Sequence, residues 1–332
     1  MIDIPDPVLL EKSDVLLRVK TVGLCGSDMH YFARGRIGKR VVTYPFIIGH
    51  EFAAEVIEIG NGVSTINPGD RVAVDPAISC GKCLQCQSGR SHTCLNLKFL
   101  GCPGELPGCM CQYIIMPEKN CYPLTKNLTP ETSVVIEPLS IAVYALSFIK
   151  DEQINSLGIL GSGPIGLSVL LSVKAAGFSS VYVTDLIERR LQIAKSAGAT
   201  WVGNPHKIDI IEEILRVKPH RLDAIFECCG KQEALDQAID LLKPGGKLLI
   251  IGIPEISRVS FDINKIRRKE ITIYNIRRQN NAMREAIDLL ENNKVNVNCM
   301  VTHIFGMEQA SEAFNLVNGY KDGVMKAVIK IS

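Results

Sequence analysis

Ser156-Leu157-Gly158-Ile159-Leu160-Gly161-Ser162-Gly163-Pro164-Ile165-Gly166 decides the fold of this 332-residue chain. An apolar run of strand length meets a Gly-x-Gly-x-x-Gly sequence directly, and a helical run, Leu167 to Ala176, closes at Gly177. A second strand, Val181-Tyr182-Val183-Thr184, then ends in Asp185. Gly161, Gly163 and Gly166, with Pro164 and Ile165 between, let backbone N–H groups approach an anion at the helix N-terminus, where the dipole also favours negative charge. Strand before, helix after and an acid at the end of the next strand are the setting in which this pattern binds a dinucleotide. Asp185, 19 residues past Gly166, is placed to accept hydrogen bonds from the adenosine ribose. Its charge repels a 2′-phosphate, so NAD is expected over NADP. Arg190 is positioned to stack near the adenine or to attract such a phosphate weakly.

Downstream the alternation continues: a strand at Leu222–Glu227, a helix at Glu233–Leu242, a turn at Pro244-Gly245-Gly246, a strand at Lys247–Gly252 and a last one at Glu270–Ile276. Such alternation predicts a doubly wound parallel sheet. Ligands of such sheets sit beyond the carboxyl ends of the strands, which brings Cys228, Cys229 and Ile253 toward the nicotinamide. Packing at a strand end is an equal reading for the two cysteines. The tail reads as helices at Met283–Leu290 and Met307–Val317 and a strand at Val324–Ile331.

Upstream the texture is β-rich. Val15–Val19 and Ala54–Ile59 alternate, Gly60-Asn61-Gly62 and Pro68-Gly69-Asp70 turn, and Arg71–Val74 follows. Short strands at this spacing read as a small barrel or sandwich. Within this tract stands Gly49-His50-Glu51. Neighbouring side chains on a regular strand point to opposite faces, so His50 and Glu51 converge only at a strand end or bend, which Gly49 permits. Together with Cys25 before and Glu137 after, they form a mixed N/S/O donor set that suits Zn²⁺, and a site short of four protein ligands is the catalytic pattern. Cys80-x2-Cys83-x2-Cys86-x7-Cys94 packs four thiols into fifteen residues with no apolar payload. A Cys₄ zinc would cross-link that lobe; an iron–sulfur cluster uses similar ligands. Cys102, Cys109, Cys111 and Cys121 read as small apolar residues or incidental thiols.

Thirty-seven Lys and Arg against 35 Asp and Glu give a net charge of +2, which disfavours a dedicated nucleic-acid binder. No apolar run approaches the ~20 residues of a membrane span, and Met1-Ile2-Asp3-Ile4-Pro5 lacks a signal-peptide start. A cytoplasmic location is expected, and there twelve cysteines are thiols or metal ligands. At this length two domains are expected.

The chain as a whole resembles the zinc-dependent medium-chain alcohol dehydrogenase family, and within it the sorbitol (polyol) dehydrogenase group. The stretches that carry the likeness are Cys25-Gly26-Ser27-Asp28 with His30-Tyr31, Gly35-Arg36-Ile37-Gly38, Gly49-His50-Glu51, Ile136-Glu137-Pro138-Leu139-Ser140 and Val301-Thr302-His303. The resemblance implies an α/β fold in which a Rossmann domain, residues 139–276, is inserted in a GroES-like catalytic domain, residues 1–138 and 277–332. It implies one catalytic zinc on Cys25, His50 and Glu51, with Glu137 direct or through water, and one structural zinc on Cys80, Cys83, Cys86 and Cys94. Ser27, Tyr31, Glu137 and Arg277 match positions lining a polyol site; Ser27, Glu137 and His30 are the expected proton relay. A dimer or tetramer is implied as well.

Three departures stand out. Animal sorbitol dehydrogenases lack the four-cysteine lobe that many bacterial relatives keep. The family usually has a hairpin of strands before the Ile4-Pro5 loop, so a bare barrel edge or an upstream start is expected. Arg277-Arg278-Gln279-Asn280-Asn281 is unusually cationic, which brings in a sugar acid as alternative substrate. The rival readings are an L-threonine 3-dehydrogenase, which usually lacks the Glu-Pro-Leu-Ser run, a zinc-free NADP-dependent quinone reductase, a non-catalytic relative, and a redox sensor switched at Cys80–Cys94.

Overall fold

The computed structural model describes residues 2–125, 127–150, 153–254 and 256–331. The chain divides into two compact units, Met1–Glu137 with Met283–Asn293 and Met300–Ser332, and Pro138–Ala282 with Lys294–Cys299. The tail therefore serves both units, whereas the sequence reading gave 277–332 wholly to the β-rich one.

The β-rich unit is built on a sheet in the order Val301–Gly306, Lys326–Lys330, Asp14–Gly23, Glu51–Ile59, Arg71–Val74, Cys121–Pro123, with Tyr113–Pro117 pairing the first half of Asp14–Gly23. Asp14–Gly23 shows the period-two pattern that makes it a strand: Val15, Leu17 and Val19 are buried while Leu16 and Lys20 are half-buried and Arg18 is exposed. They pack with Phe52, Val56, Met116 and Ile329 in one core. Antiparallel to it, Glu51–Ile59 is registered so that Glu51 faces Gly23. The following stretch, expected only to be polar with a thiol at its head, is a helix, Gly26–Arg34. It starts because Asp28 accepts the Cys25 N–H (2.9 Å), and it stops at Gly35, whose φ of 63° is left-handed.

The second unit is a six-stranded parallel sheet in the order Trp201–Gly203, Ser180–Thr184, Ser156–Leu160, Leu222–Glu227, Leu242–Ile250, Thr272–Asn275. By chain position this is 3-2-1-4-5-6, the dinucleotide-fold order. Ser156–Leu160 is buried along its whole length, as a central parallel strand requires. Helix Pro164–Ala175 buries Gly166 to Val173 without interruption. Pro244-Gly245-Gly246 does not end a strand: Leu242–Ile250 runs through it, and a register shift opposite Leu222/Ala224 absorbs the extra residues. Among the described residues no helix is long and apolar enough to cross a membrane.

Candidate active site and metal sites

His50 and Glu51 meet where Glu51 opens its strand and Gly49 takes φ 98°, the bend that adjacent inward side chains demand. Neighbouring segments clamp the bend. Cys109 N–H donates to Gly49 O (3.0 Å), Met110 N–H to Ile48 O (3.0 Å) and Gly108 N–H to Ile47 O (2.7 Å). Gly108 and Gly101 are glycines by contact: an added Cβ would lie 2.3 Å from Ile48 C and 2.8 Å from Gly49 O respectively. The Phe99 ring lies 5.2 Å from that of His50.

Cys25 arrives from the head of helix Gly26–Arg34, and its thiol, the His50 imidazole and the Glu51 carboxylate lie within 4.8 Å of one another. His50 and Glu51 are buried, and Cys25 is half-buried. Glu137 lies outside that mutually close set; it is buried beside it, at the start of helix Ile136–Ser147. Burial first, then the Glu51 and Asp75 carboxylates, push the Glu137 carboxyl up to about 7, against the pull of His50 and Lys326.

Two residues that sequence reasoning missed complete the site. Asp28 is fully buried, and its Oδ1 stands 3.5 Å from His50 Nδ1 while Oδ2 holds the Cys25 N–H. Burial resists an imidazolium at His50, but Asp28 and Cys25 outweigh it and draw the ring toward positive charge. Lys326 is buried at 1% exposure, and its ammonium donates to Glu51 Oε2 and to Leu24 O (3.2 Å). Gly23 leaves room for this, since a Cβ there would sit 2.7 Å from Glu51 Oε2. The only legible signal for Lys326 was a cation set among apolar neighbours in the strand Val324 to Ile331, which also carries Lys330 near its end. Three buried acids, a thiol and one lysine make an enclosure that calls for a cation, and a thiol–imidazole–carboxylate set whose imidazole faces Asp28 and whose carboxylate is held by Lys326 fits zinc. Ser27 and His30 are half-buried and Tyr31 is buried on the same helix.

The four-cysteine lobe closes as its spacing implied. Cys80, Cys83, Cys86 and Cys94 thiols lie within 4.8 Å of one another. Cys83–Cys86 and Cys83–Cys94 Sγ separations of 3.6 and 3.7 Å match the edge, about 3.8 Å, of a tetrahedron of 2.3 Å Zn–S bonds. Backbone N–H groups of Cys80, Leu95 and Asn96 point at these sulfurs. Chiefly through the Lys82 backbone N–H, the Cys80 thiol falls to about 6. All twelve cysteines are free thiols.

In the parallel-sheet unit, Asp185 is buried at the strand end, accepting from Ser162 N–H (2.6 Å) and Ile187 N–H (2.8 Å). It ties the glycine loop to the second strand. An added Cβ at Gly166 would lie 1.8 Å from Gly161 O, and one at Gly163 3.4 Å from Arg190 Nη1, so the buried Arg190 lies over the loop. Cys228 is half-buried, and Cys229 packs against Gly161. Ile253 and Arg277 are exposed.

Comparison with known proteins agrees with this geometry. The family profile "Alcohol dehydrogenase GroES-like domain" matches residues 11–126, and "Zinc-binding dehydrogenase" matches 164–292. Sorbitol dehydrogenase of Bacillus subtilis is 36% identical over 98% of this chain and 92% of its own. The chain belongs to the zinc-dependent medium-chain dehydrogenases. Another member, L-idonate 5-dehydrogenase of Vitis vinifera, is 32% identical over 91% of this chain and 84% of its own. Among solved dehydrogenases, an Escherichia coli enzyme of unknown specificity superposes with TM-score 0.94 at 32% identity, covering 100% and 95% of the two chains. A Sinorhizobium meliloti zinc-binding dehydrogenase bound to NADP gives 0.90 at 28% over 99% and 94%. An E. coli dehydrogenase complexed with NADH gives 0.89 at 29% over 99% and 94%.

Proposed function

We propose that this dehydrogenase oxidises a secondary alcohol of a polyol with NAD, using two zinc ions per chain. The observation that carries the reading is the close Cys25–His50–Glu51 set, oriented by Asp28 and Lys326. Cys25, His50 and Glu51, with Glu137 beside them, would hold the catalytic zinc, and Cys80, Cys83, Cys86 and Cys94 the structural one. When bound, zinc supplies Lewis acidity toward a hydroxyl and the nicotinamide accepts hydride.

The chain's own residues do the rest. Asp28 holds His50 in one orientation, and Lys326 holds the Glu51 carboxylate on the inner side of the sheet. Glu137, buried beside the Cys25–His50–Glu51 set, is the proposed base. Ser27 and His30 extend a relay from it. Tyr31 and Arg277 are proposed to touch substrate. The cofactor unit binds through Gly161, Gly163, Pro164, Ile165, Gly166 and Arg190, with Cys228 and Ile253 toward its nicotinamide end. Asp185 supports NAD, because a carboxylate at the end of the second strand, where the ribose is expected, repels a 2′-phosphate. The Glu137-Pro138-Leu139-Ser140 run supports a polyol over threonine. Cysteines that stand as thiols or metal ligands fit a reducing, cytoplasmic compartment, and a homodimer or homotetramer is the proposed assembly.

The test is metal content per chain for wild type and His50→Ala, with NAD and NADP reduction over a panel of polyols, sugar acids and threonine. Two zincs falling to one, with NAD-linked polyol activity lost, is the expected result. One zinc unaffected by the substitution, and no alcohol oxidised, overturns the reading.

A further inference from the structure

Glu227 is an acid with no exposed surface, at the last position of strand Leu222–Glu227. Acidic side chains are almost never fully buried unless paired. This one is paired with backbone: Oε1 accepts the N–H groups of Cys229 (2.8 Å) and Gly230 (2.6 Å). Its main chain holds the segment on the other side, since Glu227 O accepts from Ile251 N–H (2.9 Å) and Gly252 N–H (3.0 Å). Next in the chain, Cys228 N–H donates to Leu160 O (2.8 Å), at the residue before the glycine loop. Glu227 and its successor therefore tie down the ends of three adjacent strands, Ser156–Leu160, Leu222–Glu227 and Leu242–Ile250.

The glycines around the carboxyl group show how closely these segments are drawn together. Gly230 takes φ 68°, and an added Cβ there would lie 2.5 Å from Ile253 O. One at Gly252 would lie 2.3 Å from Gly230 N and 2.7 Å from Glu227 Oε2, and one at Gly161 would lie 2.9 Å from Cys229 Cβ. That second oxygen, Oε2, has no hydrogen-bond partner among the described residues. The place in the sheet gives this knot its meaning. The chain leaves Ser156–Leu160 toward Ser180–Thr184 and Trp201–Gly203, then returns to lay Leu222–Glu227 along the other edge of Ser156–Leu160. Such a reversal is the switch point of a doubly wound sheet, and a ligand lies in the crevice outside the carboxyl ends of the strands there. Glu227 stands at the carboxyl end of one of the two strands that flank the crevice. A residue that only filled space at a buried strand end would be apolar. An acceptor for two consecutive backbone N–H groups instead dictates the path of the loop that leaves the strand.

We propose that Glu227 is a positioning residue for the dinucleotide: its carboxyl group fixes Cys229-Gly230 against Gly161 and against Gly252-Ile253, so the walls of the crevice are set before the cofactor arrives. Walls already ordered spare the cofactor the cost of ordering them. This rests on the cofactor reading of the parallel-sheet unit and names a buried residue that acts on that site through the loops. The test is the dissociation constant of NADH, by fluorescence titration well below the melting temperature, for wild type, Glu227→Ala and Glu227→Gln. Steady-state kinetics with NAD and the best alcohol of the panel, and melting temperatures, run in parallel. Glu227→Ala should raise the NADH dissociation constant and the NAD KM at least tenfold, while kcat at saturating NAD changes less than threefold. Glu227→Gln keeps a carbonyl oxygen with two lone pairs for the two N–H groups and sets its amide where Oε2 has no bond to lose, so its NADH affinity should stay within threefold of wild type. Two further variants keep the test open if the alanine protein does not fold. Glu227→Asp stops one methylene short, and Gly252→Ala wedges a methyl between the loops without altering the glutamate; both should weaken NADH at least tenfold. A lower melting temperature with wild-type NADH affinity in the alanine or aspartate protein makes Glu227 a residue of stability alone and overturns the proposal. A glutamine protein as weak as the alanine one overturns it too, because the hydrogen bonds would then not be what matters. Wild type that binds no NADH fails earlier and overturns the cofactor reading along with the proposal.

Discussion

Lys326→Met tests the charge balance of the metal enclosure. The substitution keeps an unbranched apolar side chain as far as Cε but removes the ammonium that faces Glu51 and Leu24 O. Both partners are essentially inaccessible, at 1% exposure each, so water cannot replace the lost contact. Breaking a buried pair by deleting one member costs about 3–5 kcal/mol, and the orphaned Leu24 carbonyl adds about 1 kcal/mol. At about 2–4 °C per kcal/mol for a unit of this size, the melting temperature should fall by roughly 8–24 °C. The assay is calorimetry on chelator-treated protein, so that ligand binding does not mask the change. Adding Glu51→Gln to Lys326→Met should restore part of the loss, because removing both charges is far cheaper than removing one. A Lys326→Met protein within 1 kcal/mol of wild type, or no recovery in the double variant, refutes the reasoning.

Asp223→Asn probes the parallel-sheet unit. Burial pushes the Asp223 carboxyl up, but Lys243, the N–H groups of Asn155 and Ser156 and the Ser156 hydroxyl together hold it below its ordinary value. A depressed carboxylate stabilises above its unfolded pKa, about 3.9, and that contribution is lost as pH falls through the folded value. Urea midpoints from pH 6 to 2 should therefore decline less steeply below about pH 4 in the variant; parallel slopes would contradict this. Cys83→Ser should remove one zinc equivalent and expose residues 80–94 to protease while leaving the second zinc, read by metal analysis and digestion. Gly166→Ala, whose methyl would collide with Gly161 O, should weaken NADH binding at least tenfold in a fluorescence titration; unchanged binding would mean the loop does not hold the pyrophosphate.

Much of this architecture was legible because its signals are local. The glycine loop is read from eleven consecutive residues, and the strands Ser156–Leu160, Leu222–Glu227 and Arg71–Val74 have the bounds their apolar runs imply. The Cys80–Cys94 lobe is local too, since spacing alone brings its thiols together. His50 and Glu51 could be placed at a bend from the pleat of a strand. What was not legible depends on partners distant in sequence. Lys326 reaches Glu51 from 275 residues away, and no local pattern marks it as more than an odd cation in a strand. Asp28 looked like one polar residue among several until the helix at Gly26 turned it toward both Cys25 and His50. The Pro244-Gly245-Gly246 turn was over-read, because a parallel neighbour carries the strand across a shift that the sequence records only as a breaker. Glu137 was read as meeting zinc directly or through water; it is buried next to the other three and outside their mutually close set.

The pairing of Glu51 with Lys326 also bears on how the molecule comes into being. Strand Lys326–Lys330 docks beside Asp14–Gly23, with Thr21 opposite Lys330 and Gly23 opposite Val328. Synthesis proceeds from the N-terminus at a few residues per second, so Cys25, His50 and Glu51 emerge well before the lysine that balances them. Until then a nascent chain holds Glu51 without its lysine, and the Thr21–Gly23 end of strand Asp14–Gly23, beyond the stretch that Tyr113–Pro117 pairs, has one open edge. Neutralisation of Glu51 and completion of the sheet thus fall on one late event, the docking of strand Lys326–Lys330.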